Sequence, residues 1–113
     1  MDVSKMRMRM RMNPCYKIWL ESADGKYILG EGTARLLCAI NEKGSLSDAA
    51  HALGISYAHA WRKLREIERN LGKKVAERKR GGKKGGSSIL TQEGIVLLGE
   101  YERLKKIVEQ ALQ

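Results

Sequence analysis

Five basic side chains crowd one glycine-rich stretch: Arg78, Lys79, Arg80, Lys83 and Lys84 stand among Gly81, Gly82, Gly85 and Gly86. The chemistry open to such a stretch is neutralisation of a polyanion. Lysine and arginine release counterions from a phosphate chain, and glycine lets the backbone come close to it. A second set, Ser56, Tyr57, His59, Arg62, Lys63 and Arg65, falls within ten residues. It mixes cations with short hydrogen-bonding tips, the groups that read base edges and phosphates. Catalytic sets fail by comparison. His51 and His59 lie eight residues apart with no acid or cysteine to complete a metal site, and no nucleophile stands beside a base. Gly30-Glu31-Gly32-Thr33-Ala34-Arg35 imitates a dinucleotide fingerprint, but Arg35 occupies the third glycine position. Gly81 to Ser87 imitates a phosphate loop without the Lys-Ser/Thr that must follow Gly86. No catalytic residue, metal ligand or cofactor is expected, and the chain reads as a non-enzyme.

Both basic sets need elements to aim them. Ala60, Leu64, Ile67 and Leu71 recur at 4, 3 and 4 residues, the apolar stripe of a helix that Ser56 caps and Gly72 ends. At 100° per residue Arg62 points nearly opposite that stripe. Ala58, His59 and Arg65 lie on the open side, with Tyr57 and Lys63 nearer its flanks. Trp61, at the stripe's edge, is expected to pack into the core against an N-terminal hairpin. Tyr57 stands evenly between core and ligand, and Arg69 reads as a solvated partner of Glu66 or Glu68. A shorter helix precedes this one: Ser45 opens a capping box with Asp48, Leu46, Ala49, Ala50 and Leu53 form its apolar face, and Gly54 ends it. Ala50 lies four residues before Gly54 and Ala60 six after it. That spacing suits a helix-turn-helix, which needs a small crossing residue, a turn glycine and an apolar lock.

The flanks complete the frame. Tyr16–Leu20 and Lys26–Leu29 are β-prone runs around an Asp24-Gly25 turn, an N-terminal hairpin. A helix follows from about Gly32-Thr33 to Gly44, with Leu36, Leu37 and Ile40 inward and Cys38 beside them as an inert thiol. Val75–Lys79 and Ser87–Leu90 flank the basic glycine tip as the two strands of a wing. Thr91 then caps a long helix to Leu112. On it Leu97, Tyr101, Leu104, Val108 and Ala111 recur at 4, 3, 4 and 3, the period of a two-helix seam. Ile95 and Leu98 are expected to anchor its start in the monomer. The fold class is mainly α with small β: a winged helix-turn-helix with an N-terminal β-hairpin and a long C-terminal dimerisation helix. Three segments follow: a flexible basic arm over 1–14, the DNA-binding domain over 15–90 and the dimerisation helix over 91–113.

The charge sits where this frame wants it. The 113 residues carry 22 Lys and Arg against 13 Asp and Glu, a net +9. Residues 1–12 hold four basic side chains against one acidic, and residues 73–84 hold seven against one. The other 89 residues balance at eleven of each, so the excess lies wholly in two short segments. Two concentrated basic segments on a neutral body point to a polyanionic partner. Neither has the apolar face of a membrane-surface helix, and no run approaches the ~18–20 apolar residues of a span. Two cysteines without close spacing fit a reducing compartment, here the cytoplasm and its nucleoid.

Gly44-Ser45-Leu46-Ser47-Asp48-Ala49-Ala50, Leu53-Gly54-Ile55-Ser56-Tyr57 and Ala60-Trp61 resemble the DNA-binding domain of the ModE family of molybdate-responsive regulators. The Gly81–Gly86 wing and Leu90-Thr91-Gln92-Glu93-Gly94 are similar as well, and LysR-type regulators share the Leu-Thr-x-x-Gly entry to the last helix. The resemblance runs from about Tyr16 to the C-terminus. It implies a winged helix, a homodimer and operator binding. ModE proteins usually carry C-terminal molybdate-binding domains, which this chain does not display, so direct molybdate binding is not carried over. The expected function is a sequence-specific regulator that binds double-stranded DNA as a homodimer, with the recognition helix in the major groove and the wing on the backbone or minor groove. The alternatives are a sequence-tolerant nucleoid protein and a winged-helix adaptor for other proteins.

Overall fold

A computed structural model describes residues 2–79 and 86–113. Within the segment expected to be a flexible arm, α1 (Val3–Met10) is helical, capped by Asp2, whose carboxylate accepts from the Ser4 amide at 3.0 Å. Met, Lys and Arg are good helix formers and Val3 is the only β-branched residue there, so helix prevails over irregular chain and over the strand that Met–Arg alternation also permits. None of α1 is buried. Intrinsic propensity alone carries it.

The N-terminal hairpin is shorter than its β-prone text. β1 (Leu20–Glu21) and β2 (Tyr27–Leu29) pair antiparallel, Leu20 opposite Leu29, around a turn in which Gly25 N–H donates to Ser22 O. Residues 16–19 stay outside the ladder, because β2 ends at Leu29 and offers no further partner. Then α2 (Glu31–Lys43) begins one residue before the expected Gly32. It is the hub of the domain, packing against β2, against the strand Ser87–Leu90 and against each of the three helices that follow it.

The two helices that follow meet as the spacing requires. Ser45 caps α3 (Leu46–Leu53) by accepting from Asp48 N at 3.0 Å, and Ser56 caps α4 (Tyr57–Leu71) by accepting from His59 N at 3.0 Å. Between them Gly54 sits at φ +69°, a left-handed conformation that a side chain would strain. Ala49, Ala50 and Ala60 are fully buried where the helices cross.

The wing is β3 (Ala76–Lys79) paired antiparallel with β4 (Ser87–Leu90), Ala76 opposite Leu90 and Arg78 opposite Ser88. Alternation turns Ala76, Arg78, Ser88 and Leu90 toward the body and Glu77 and Ile89 away. Ser88 N–H donates to Gly44 O at 2.7 Å, fixing β4 to the end of α2. The last helix, α5 (Gln92–Ala111), starts against the root of the wing. Thr91 N–H donates to Val75 O and its hydroxyl to Lys74 O at 2.6 Å, while Thr91 Oγ1 caps the helix by accepting from Gly94 N. A Cβ on Gly94 would stand 2.1 Å from Val75 O, so only glycine lets α5 come this close.

One core results. Leu29, Leu36, Leu37, Ile40, Ile67 and Val75 are its fully buried large side chains, and Leu98 and Tyr101 close it from α5. Burial pushes the Tyr101 hydroxyl pKa up. Leu98 anchors α5 as expected, whereas Ile95 is 57% exposed and does not. Among the described residues no helix is long and apolar enough to cross a membrane.

Candidate nucleic-acid interface

Helix α4 presents four faces. Its core stripe, Ala60, Leu64 and Ile67, is buried. The face opposite the stripe carries Arg62 and Arg69, both exposed, with Arg65 beside them. The two remaining flanks point at different neighbours, which residue spacing alone left undivided.

On one flank, Tyr57, Trp61 and Arg65 face the wing. Arg78 Nη2 donates to Tyr57 Oη at 2.8 Å, so the inner face of β3 is tied to the first residue of α4. Arg65 places its guanidinium 5.5 Å from the centroid of the Trp61 ring, a cation–π contact. Trp61 is 47% exposed. The expectation that it packs into the core against the N-terminal hairpin is therefore corrected: it stands 100° from the stripe's centre, on the side where the wing passes. Glu68, lower on this flank, accepts from Val75 N at 2.9 Å and so joins the end of α4 to the root of β3. Its part is structural, and it is not the ion-pair partner that Arg69 was expected to find.

On the other flank, His59 and Lys63 turn toward the hairpin. They line a cavity of about 350 Å³ with Tyr27, Leu36, Ile55 and Glu66. Asn70 lies on the same side and donates from Nδ2 to Tyr27 O at 2.8 Å, pinning the far end of α4 to β2. Of the six candidate residues, the structure thus gathers Tyr57 and Arg65 beside the wing, leaves Arg62 open and sets His59 and Lys63 apart. Ser56 is exposed, with its oxygen engaged in the helix cap.

The wing candidates divide by their place in the ladder. Arg78 faces inward as described, and Lys79 closes β3. Arg80, Lys83 and Lys84 lie outside the described residues. The seam candidates divide as well. Tyr101 is only 4% exposed within its own domain, and Leu97 packs against the core, while Leu104 and Val108 are half-buried and Ala111 is exposed. Val96 and Ile107, 64% and 49% exposed, extend the apolar strip on the outer side of that row. Among the described residues no group of three or more His, Cys, Asp or Glu is placed to hold a metal ion.

A helix-turn-helix with a strand pair held beside its second helix defines a winged-helix domain built for nucleic acid. Residues 33–95 match the family model of the bacterial regulatory helix-turn-helix proteins of the lysR family. The chain belongs to that family. Among curated relatives, the transcriptional dual regulator ModE of Escherichia coli K12 is 38% identical over 76 residues, 67% of this chain and 29% of ModE. The molybdenum-pterin-binding protein MopB of Rhodobacter capsulatus is 34% identical over 84 residues, 74% of this chain and 31% of MopB. The chain thus spans about three tenths of the length of these relatives. Among solved structures, the DNA-binding domain of CbnR in complex with DNA superposes with a TM-score of 0.55 at 22% identity, covering 71% of this chain and 86% of that one. The BenM DNA-binding domain on its catB site 1 DNA gives 0.54 at 25% identity, covering 71% and 83%. These likenesses support the winged-helix fold and the ModE-type resemblance, and they place the chain among regulatory helix-turn-helix domains rather than enzymes.

Proposed function

We propose that this chain binds double-stranded DNA site-specifically as a homodimer and regulates transcription. The observation that carries the reading is the Tyr57–Arg78 bond, which holds the wing beside the N-terminal half of α4, where Arg62 stands open. Recognition helices present that half to base edges in the major groove. Arg62 is the first reader in this arrangement, with Ser56 at the helix start, while Tyr57 and Arg65 stand at the wing side. His59 and Lys63 contribute from the hairpin side. Arg78, Lys79, Arg80, Lys83 and Lys84 neutralise the backbone or enter the minor groove. ModE supplies the regulatory precedent and CbnR and BenM the DNA-bound one, each over the matched part. Molybdate binding is not part of the reading. The segments read as an N-terminal basic extension, a DNA-binding domain and a dimerisation helix, working at the nucleoid in the cytoplasm.

In the dimer, α5 meets its copy along Leu104, Val108 and Ala111, flanked by Ile107 and Val96. Leu97 and Tyr101 belong to the root of that row and serve the monomer first. A two-fold pair sets two recognition helices ~34 Å apart, on successive major grooves of a palindromic site.

The test is the ratio of affinities for the chain's own promoter DNA and for random duplex at one fixed salt concentration. Site-specific binding gives about 10³-fold or more. A ratio near one would replace this reading with sequence-tolerant, architectural binding.

A further inference from the structure

We propose that the cleft between α4 and the wing is the channel for one sugar-phosphate strand of the duplex, with Trp61 packed on a deoxyribose and Arg65 and Arg78 on the phosphates at either side. This placement rests on the DNA-binding reading above and adds to it a residue, Trp61, that reads no base.

The cleft measures about 390 Å³ and is lined by Tyr57, Trp61, Arg65, Lys74, Ala76 and Arg78, among others. Its walls differ in chemistry. On the helix side the Trp61 ring lies half exposed although the stripe of α4 offers buried positions one step round. A large aromatic left open beside cations has the surface that packs on a sugar or base face. Arg65 is already stacked over that ring at 5.5 Å, and among the described residues it makes no ion pair with a carboxylate. Its guanidinium is oriented at low entropic cost and its charge is uncompensated.

On the wing side, Arg78 gives one N–H to the neutral Tyr57 hydroxyl, which orients it without cancelling its charge. Two carboxylates, Glu68 and Glu77, also line the cleft, against the three cations Arg65, Lys74 and Arg78. Glu68 is turned to the Val75 amide at the floor, where it accepts at 2.9 Å. Between a major-groove helix and a wing on the backbone, the element that must pass is a sugar-phosphate strand. The cleft therefore offers an apolar plate flanked by two aimed guanidinium groups, matched to sugar and phosphate in alternation.

The experiment uses the full chain with Trp19→Phe, which leaves Trp61 as the sole tryptophan of the two. Trp19 immediately precedes β1, its indole N–H donating to Glu21, and it does not line the cleft. A fluorophore-labelled duplex reports binding by anisotropy, and Trp61 emission with acrylamide quenching reports the cleft. Binding should quench Trp61 emission and lower its accessibility to acrylamide. Trp61→Leu should weaken binding to promoter and random duplexes alike by about tenfold, with Trp61→Phe recovering part of the loss. Arg65→Ala should make the slope of log K against log salt shallower by about 0.9, one phosphate contact. Circular dichroism and Tm establish that each variant folds. Duplex binding with unchanged Trp61 emission and accessibility would overturn the channel and leave the DNA-binding reading standing. Absence of duplex binding by the Trp19→Phe chain would overturn both.

Discussion

Arg62 and Trp61 are sequence neighbours on α4 and stand for two kinds of contact. Arg62 points away from every packed element, so its guanidinium is free to meet a base edge, and a bidentate arginine–guanine contact is worth ~1–3 kcal/mol of discrimination. Arg62→Ala should accordingly lower affinity for promoter DNA more than for random duplex, measured by anisotropy at one salt concentration. Equal losses on both would remove Arg62 from the base readers. Trp61, one residue earlier and 100° round the helix, meets a wall instead of open groove, and its effect should be the same on either DNA. Side chains four residues to either side of it share its fate: Tyr57 bonds Arg78, and Arg65 covers the indole.

At the scale of elements, what aims the interface is a run of backbone contacts at the root of the wing. Glu68 holds Val75 N, Val75 O receives Thr91 N–H, and Thr91 caps α5 through Gly94 N. These bonds join the end of α4, the start of β3 and the start of α5 at one point. Gly94 permits the join, since a Cβ there would strike the Val75 carbonyl. Gly94→Ala should lower stability by about 1–3 kcal/mol, the usual cost of forcing an extra methyl into a tight contact, read as a fall in Tm. The same variant should also weaken DNA binding, because a displaced β3 carries Arg78 with it. An unchanged Tm would show that α5 can back away freely.

For the molecule as a whole, α5 presents two adjoining apolar faces. Leu98 and Tyr101 close the monomer core, while Val96, Ile107 and Ala111 remain exposed and continue into half-buried Leu104 and Val108. An exposed apolar strip on a helix so firmly seated is the surface that a second copy would cover. Leu104→Glu together with Ile107→Glu should yield a folded monomer by sedimentation, with affinity for a palindromic promoter site reduced toward that of a single half-site. A double variant that stays dimeric and binds as before would exclude this helix as the seam.

Much of the architecture was legible along the chain. The Ser45, Ser56 and Thr91 caps and the 3.6-residue stripes mark local events, decided by hydrogen bonds and apolar spacing within a few residues. Charge counting likewise located the wing, because two basic segments stand out on an otherwise balanced chain. Where the text was equivocal, the reading missed in two places. The Met–Arg segment, expected to be a flexible arm, formed α1 on helix propensity without any core, and β-prone Tyr16–Trp19 found no strand to pair with. The division of α4 among its neighbours was not legible. Helical spacing gives the angle between Trp61 and His59 but not which neighbour passes on which side. That is set by where the chain returns after Gly72: the wing crosses beside Tyr57 and Trp61, and the hairpin lies beside His59 and Lys63. The same holds for Tyr101, whose place in the repeat fits a seam but whose burial depends on the approach that Gly94 allows. Periodicity fixes faces relative to one another, and only long-range packing decides what each face meets.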